Sequence, residues 1–498
     1  MQARIRLAAG AWLFVMLFIA LGGSELARFA AAHVVPGPNF HNIDTAFGFT
    51  LPVPVVNGAY GGWWVVGAVW ATIALLGASG WLMTRELVRS GAPFGAVVAA
   101  QVIVGLTLTF FPILLSSDVY VYVIDGREYG IFRDNPYGSH AVVAHGDPIL
   151  RHLLQYFGNP PPFDNYGPLW NLFAGLVAKL EAGASLWWQL WTQRAVAVLA
   201  AVAATFGIAR MLRRAPSAMR VGRAGAFALH PTVLYETAVG GHNDIIMIAF
   251  AVWAFAVADE LPLVAGLLMG ASIAVKYLSI VALPFLAVYA GRARARNGIA
   301  AGLIALVAAG LFLKPFWTGP QMLYTLIGHG GQFGMSIGWL LNYWSFDTGT
   351  ENRPAFPSAP ALPFFGQPSW PRIVELGLFG AFFLVAAWSL WRYARTSAWS
   401  NLWRTIAAFL WASPIIHPWY MLWLSPALAA GKRWGVYAWW FSILCFLPYM
   451  LDATAPREVP LALMFAAPVI FLITPVAISM LARRTAQRTG DSVSYSEP

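Results

Sequence analysis

The sequence predicts an all-α, polytopic membrane protein, and three observations predict it. The chain has 498 residues and is 59% hydrophobic, with only 10% charged residues and a mean hydropathy of +0.63. No soluble domain of this length has a core that absorbs so much apolar surface. Apolar runs of roughly 15–23 residues recur along the chain, near the length a membrane helix needs. The basic residues are also unevenly placed, as the turns between these runs show.

The first run follows a basic start, MQARIRLAAGAWLFVMLFIALGG. It has the shape of a signal peptide, but the cleavage site near Gly23 is weak, so a retained first helix is expected. Membrane helices are then expected near 7–23, 61–83, 93–115, 185–209, 224–239, 243–258, 262–277, 278–290, 297–313, 373–391, 401–417, 419–431, 434–451 and 460–481. That gives about 11–14 spans in a single domain, 1–484. Some runs are short. About 15 residues rise only about 22 Å, against a hydrocarbon core of about 30 Å. Half-helices or re-entrant pairs sheltered by neighbours are one way to accommodate them. Segment 166–182 carries Lys179 and Glu181 and is expected as an interfacial helix, since counting it as a span reverses every later basic turn.

With both termini inside, the basic turns fall on one side. They are Arg4 and Arg6; Arg85 and Arg89; Arg210, Arg213, Arg214, Arg220 and Arg223; Arg292, Arg294 and Arg296; Arg392, Arg395 and Arg404; Lys432 and Arg433; Arg483, Arg484 and Arg488. Together they make up 20 of the 31 Lys and Arg residues. This positive-inside asymmetry accounts for the net charge of +10 without nucleic acid. The longer segments, 24–60, 116–184 and 314–372, then lie outside, where loops of this kind carry function. The lone Cys445 gives no disulfide framework. The tail 485–498 is expected to be disordered and cytoplasmic.

One outer stretch, SSDVYVYVIDGREYGIFRDNPYG at 116–138, gathers Asp118, Asp125, Arg127, Glu128, Arg133 and Asp134. The same expected level holds His242, Asn243 and Asp244 in GGHND, Lys276 in AVKYL, His417, Trp419 and Tyr420 in HPWY, and Tyr166 in DNYGPLW. Each has an ordinary reading. Asp118 fits a helix-exit carboxylate, and His242-Asn243-Asp244 fits an N-cap. Lys276 fits a snorkelling lysine, and Trp419 and Tyr420 fit the interfacial aromatic belt. Asn135-Pro136-Tyr137 and Tyr166-Gly167-Pro168 read as turns. Their joint occurrence on one face favours a site, because ionisable groups at membrane depth are costly and mark substrate pathways. A carboxylate can take a proton from a hydroxyl, a lysine can meet a phosphate as a point charge, and aromatic faces suit sugars and lipid tails.

The ordered motifs S-D-V-Y-V-Y (with Tyr120 and Tyr122), G-R, N-P-Y, Y-G-P-L, G-H-N-D, A-V-K-Y-L-S-I-V-A-L-P and H-P-W-Y resemble the GT-C superfamily of membrane glycosyltransferases. The resemblance is strongest over 93–290 and points to bacterial polyprenol-phosphate mannosyltransferases, including α-(1→6)-mannosyltransferases. It implies a multi-pass protein of the bacterial inner membrane that moves a hexose, with mannose expected, from a polyprenyl-phosphate donor to a glycan or glycolipid on the extracytoplasmic side, with inversion. Asp118 matches the family's base. Arg127, Asn135 and Tyr137 match loop positions that shape the site, and Asp125 lies in the same loop. His242, Asn243, Asp244 and Lys276 match polar positions near the donor phosphate or acceptor, with Arg127 expected to assist Lys276. Tyr120, Tyr122, Tyr166, His417, Trp419 and Tyr420 complete the expected substrate-binding set. No second carboxylate stands within two residues of Asp118, so no D-x-D metal site is inferred and no cofactor is expected. The spacing between "NPY" and "YGPL" is short for the family, which leaves the acceptor open. A lipid-linked glycan flippase and a ligase for whole lipid-linked glycans are the competing functions.

Overall fold

A computed structural model describes residues 2, 4–14, 16, 63–110, 116, 118–137, 146–157, 166–319, 370–413, 416–430, 432–444 and 477. Residues 4–14 are helical. The elements that follow are α1 (Trp63–Ser90), α2 (Phe94–Leu108), α3 (Asp118–Arg127), α4 (Pro148–Phe157), α5 (Pro168–Leu180), α6 (Leu186–Met211), α7 (Ser217–Ala228) and α8 (Pro231–Ala238). Then come α9 (Asp244–Val257), α10 (Pro262–Val275), α11 (Leu283–Gly291), α12 (Ala295–Leu313), α13 (Trp370–Thr396), α14 (Ser400–Ala412) and α15 (Lys432–Leu444). There is no strand among the described residues, and the protein is an all-α, polytopic membrane protein. The spans Leu186–Met211, Ala295–Phe316 and Ile373–Thr396 are long and apolar enough to cross a membrane alone, and four shorter apolar helices accompany them.

Proline sets several helix starts. Pro168, Pro231 and Pro262 stand in the first turns of α5, α8 and α10, where a missing N–H costs nothing. The expected helix 224–239 is therefore two helices: the chain breaks before Pro231, and His230 Nδ1 accepts the Thr232 N–H at 3.2 Å. The expected helix 278–290 also divides. A 3₁₀ turn at Tyr277–Ala282 precedes α11, and Lys276 in front of it is extended (φ −155°, ψ 123°). The expected helix 419–431 is a 3₁₀ stretch, Pro418–Ala429, with Pro426 inside.

The largest correction concerns 116–138. Expected as a loop, its first part is α3, continued by a π-helical turn at Glu128–Phe132. Val119, Tyr120, Tyr122, Val123 and Ile124 are buried, so the helix stands inside the protein. It packs backbone to backbone on α5. A Cβ on Gly126 would meet the Ala174 carbonyl O at 2.6 Å, and one on Gly130 would run into the Gly175 carbonyl O. Small residues four apart allow such an approach between membrane helices. Segment 166–182, expected as an interfacial helix, holds α5. The expected helix 460–481 and the segments 24–60 and 320–369 lie almost wholly outside the described residues.

The order of contacts brings the breaks to one level. α9 and α10 run antiparallel: Ser272 Oγ donates to Met247 O at 2.7 Å. The N-terminus of α9 therefore lies beside the C-terminus of α10, with the end of α8 and the start of the 418–429 stretch close by.

Candidate functional site

Asp118 opens α3. Its N–H donates to Ser116 Oγ at 3.3 Å, and its carboxylate sits in the first turn, where the helix dipole favours negative charge. The side chain is 19% exposed. One oxygen lies 3.6 Å from His242 Nδ1. The other ring nitrogen, Nε2, lies 3.3 Å from a Glu236 oxygen. His242 and Glu236 are buried. The ring of His242 stacks on Trp419 at 4.4 Å, and Trp419 stacks on His417 at 4.3 Å. Gly241 turns the chain into this position with φ +67°, a left-handed conformation that glycine adopts without strain.

A second pair stands next in the chain. Lys276 Nζ donates to Asp244 Oδ1 at 2.8 Å, and Trp423 Nε1 donates to the same oxygen. The ammonium lies 5.4 Å from the Tyr420 ring, 5.6 Å from Trp423 and 6.0 Å from Tyr166, within cation–π range. Lys276 reaches this place because α10 ends there in extended backbone. The adjoining Val275 O accepts the Gly167 N–H at 3.0 Å, which ties the Tyr166 turn to the lysine.

Tyr122 joins the two pairs. Its hydroxyl accepts the Asn243 N–H at 3.3 Å, and its ring meets Tyr166 edge-on at 4.7 Å and Trp170 at 4.8 Å. Burial opposes the charge on Asp118, but His242 beside it, with Lys276 and His417, outweighs burial and holds the carboxyl down at about 2. Burial likewise opposes the charge on His242, yet Asp118 and Glu236 raise it to about 9. Each partner thus favours the charged form of the other, the carboxylate on Asp118 and the imidazolium on His242.

The remaining expected residues lie elsewhere. Arg127 is nine residues along α3 from Asp118, about 14 Å by helix rise. Its Nε donates to Asp147 Oδ2 at 2.9 Å, and both side chains are buried. The expectation that Arg127 assists Lys276 meets a guanidinium already committed to another carboxylate. Asn135 Nδ2 donates to Phe316 O at 2.8 Å, and the Tyr137 hydroxyl donates to Tyr166 O at 2.6 Å. Tyr137 thus braces the turn that carries Tyr166, and Asn135 Oδ1 in turn accepts the Tyr137 N–H at 3.1 Å. Tyr120 and Asp125 are buried within α3.

Sequence reasoning missed Glu236, Trp423, Asp147 and Arg194. Arg194 is buried, with Nε donating to Ala238 O at 2.8 Å and Nη2 to Leu108 O at 3.0 Å, so it fixes the end of α8 ahead of His242. Glu236 and Arg194 each stand as an ionisable group inside an apolar run, which is a signal that could have found them. Among the described residues no group of three His, Cys, Asp or Glu side chains is disposed to hold a metal ion.

Residues 17–292 match the model of a family described as alpha-(1->6)-mannopyranosyltransferase, N-terminal domain. The match covers more than half of the chain and takes in Asp118, Glu236, His242, Asp244 and Lys276, but ends before His417 and Trp423. No curated protein matches the chain.

Proposed function

Because the chain belongs to the family of alpha-(1->6)-mannopyranosyltransferases and is thus a membrane glycosyltransferase, we propose that it moves mannose from a polyprenyl-phosphate donor to a hydroxyl of a glycan or glycolipid. Transfer is a single displacement with inversion, on the extracytoplasmic side of the bacterial inner membrane. The observation that supports this reading is the Asp118 carboxylate, part-exposed beside a buried His242, with the Lys276–Asp244 pair in the same cluster.

In the proposed step the acceptor oxygen attacks the anomeric carbon while the bond from that carbon to the phosphate oxygen breaks. The hydroxyl proton passes to Asp118. A carboxylate with so low a pKa is a weak base towards a resting alcohol. It becomes an effective acceptor as the new C–O bond forms and the hydroxyl turns strongly acidic. The leaving polyprenyl phosphate carries the developing negative charge, and Lys276 is the cation placed to meet it. To do so Lys276 shares its ammonium between Asp244 and the phosphate. Tyr166, Tyr420 and Trp423 around it supply faces for a sugar ring or a prenyl chain.

The test is single-turnover transfer by purified protein from polyprenyl-phosphate mannose. Asp118→Asn should lower the rate by about 10²–10⁴-fold, the usual cost of losing a general base, with donor binding retained. Transfer by Asp118→Asn within a few-fold of wild type overturns the assignment. Product mass separates one hexose from a whole glycan, and proteoliposome flux tests a flippase. The orientation is tested on either side of α6, just before it and at the start of α7. In a Cys445→Ala background, Ser185→Cys should react with an impermeant thiol reagent on intact cells and Ser217→Cys should not. The reverse pattern overturns it.

A further inference from the structure

Glu236 has no part in the transfer step just described, yet it is among the most enclosed carboxylates of the described residues. It is 1% exposed, on the short helix α8, in a segment read as part of a membrane span, where a carboxylate without a partner is costly. What it faces is the back of His242. Its oxygen lies 3.3 Å from Nε2, while Nδ1 at the front of the same ring lies 3.6 Å from Asp118. One ring thus links a carboxylate at the mouth of the site to a carboxylate behind it.

The ring has little freedom to leave this line. The His242 N–H donates to the Glu236 carbonyl O at 3.0 Å. Trp419 covers one ring face at an interplanar angle of 14°. A Cβ on Gly240 would meet His242 Cδ2 at 2.6 Å. The charged and titratable groups around the ring are Asp118 from α3, Glu236 from α8, Asp244 two residues on, Lys276 at the end of α10, Arg194 from α6 and His417 behind Trp419. With three carboxylates against one lysine and one arginine, a neutral ring leaves the cluster with excess negative charge.

We infer that Glu236 is a positioning residue for the transfer step: it holds the His242 ring protonated and aimed at Asp118, so that an imidazolium keeps the Asp118 carboxylate in place as it meets the acceptor. This rests on the reading of Asp118 as the base. Burial alone would strip the proton from such a ring, and of the two carboxylates that oppose burial Glu236 is the nearer, at 3.3 Å against 3.6 Å for Asp118. Glu236→Gln keeps the shape and removes the charge. An opposite charge at this distance shifts a titration by about 1–3 units, so the midpoint of His242 should fall by at least about one unit in this variant.

The experiment is a ¹⁵N-histidine titration of the full chain in nanodiscs, with the His242 signal identified by its loss in His242→Gln. The wild-type ring should titrate at about 9 and the Glu236→Gln ring clearly lower. Glu236→Asp keeps the charge on a shorter arm and should fall between them. It decides the matter if Glu236→Gln does not accumulate. A midpoint equal to wild type in either variant overturns the inference. The same three proteins are then assayed for mannosyl transfer from polyprenyl-phosphate mannose across pH. The alkaline limb of kcat should move to lower pH in Glu236→Gln, with KM for the donor within a few-fold and partial recovery in Glu236→Asp. A purely structural role would lower the amount of active enzyme and leave that limb in place. If the wild type transfers nothing, the donor reading fails, and the titration still decides the role of Glu236.

Discussion

Helix α9 has charges at both ends, and the two ends differ. At its start Asp244 is fully buried, paired with Lys276 and capped by Trp423. Just past its end Glu260 is paired with both Arg210 and Arg213, and all three side chains are a third to a half exposed. About 21 Å of helix separates them. The Glu260 end resembles an ordinary protein surface: charges meet in high dielectric and each pair contributes little. At the other end Asp244 is fully buried, so its charge depends on specific neighbours. The same residue types therefore do different things. The basic residues of the Glu260 end meet a carboxylate in part-exposed, screened pairs. Those of the Asp244 end supply a geometry.

That contrast can be broken most forcefully at Asp244. Asp244→Asn leaves Lys276 without its carboxylate in a confined place, and removing one partner of a buried pair costs about 3–5 kcal/mol. Thermal unfolding in detergent should show it as a large loss of stability or of yield. Lys276→Met removes the other partner but retains aliphatic bulk among the three rings, and Lys276→Arg retains the charge. Of these two, Met should raise KM for the donor and Arg should preserve part of its use. Wild-type kinetics for Lys276→Met at limiting donor would reduce the lysine to a headgroup anchor.

A smaller effect follows from pH. His242 titrates above its ordinary value of 6.5, at about 9. Its contribution to stability is therefore complete below 6.5 and lost as pH rises through about 9. Asp118 is lowered from 3.8 to about 2, so its contribution is present above 3.8 and lost as pH falls towards 2. Melting temperatures between pH 6 and 10 should decline with pH in wild type, and His242→Gln should remove much of that decline. An unchanged slope in His242→Gln would mean that the ring is not charged in the folded protein. The smallest effect belongs to the other end. Glu260→Gln should change stability by no more than about 1 kcal/mol and leave transfer intact. A collapse of activity there would erase the distinction between the two ends.

How much of this was readable from the sequence follows the same division. The membrane class was legible, because apolar length and basic turns are local signals. Most long helices were placed within a few residues. The helical state of 118–132 was not, because its charges suggested water, whereas Arg127 is neutralised by Asp147 twenty residues away and the glycines seat it against α5. GGHND and Lys276 were legible as polar residues at expected helix ends. Their pairing was not, since the Lys276–Asp244 contact depends on an antiparallel turn of two helices. Glu236 was hidden within an apolar run, and Trp423 within an aromatic belt where no single ring stands out. The break at His230-Pro231 was present in the sequence and went unread, because continuous hydropathy outweighed the proline.

The cap on Asp244 also has a timetable. Trp423 is 179 residues beyond the carboxylate it covers, and Lys276 only 32. At roughly 5–20 residues per second, a ribosome delivers the lysine about 2–6 s after Asp244 and the tryptophan about 9–36 s after it. The nascent chain must therefore neutralise this charge long before it can roof it. For that interval the half-built protein carries an open ion pair at its future site, and the late-emerging 418–429 stretch is the one that closes it.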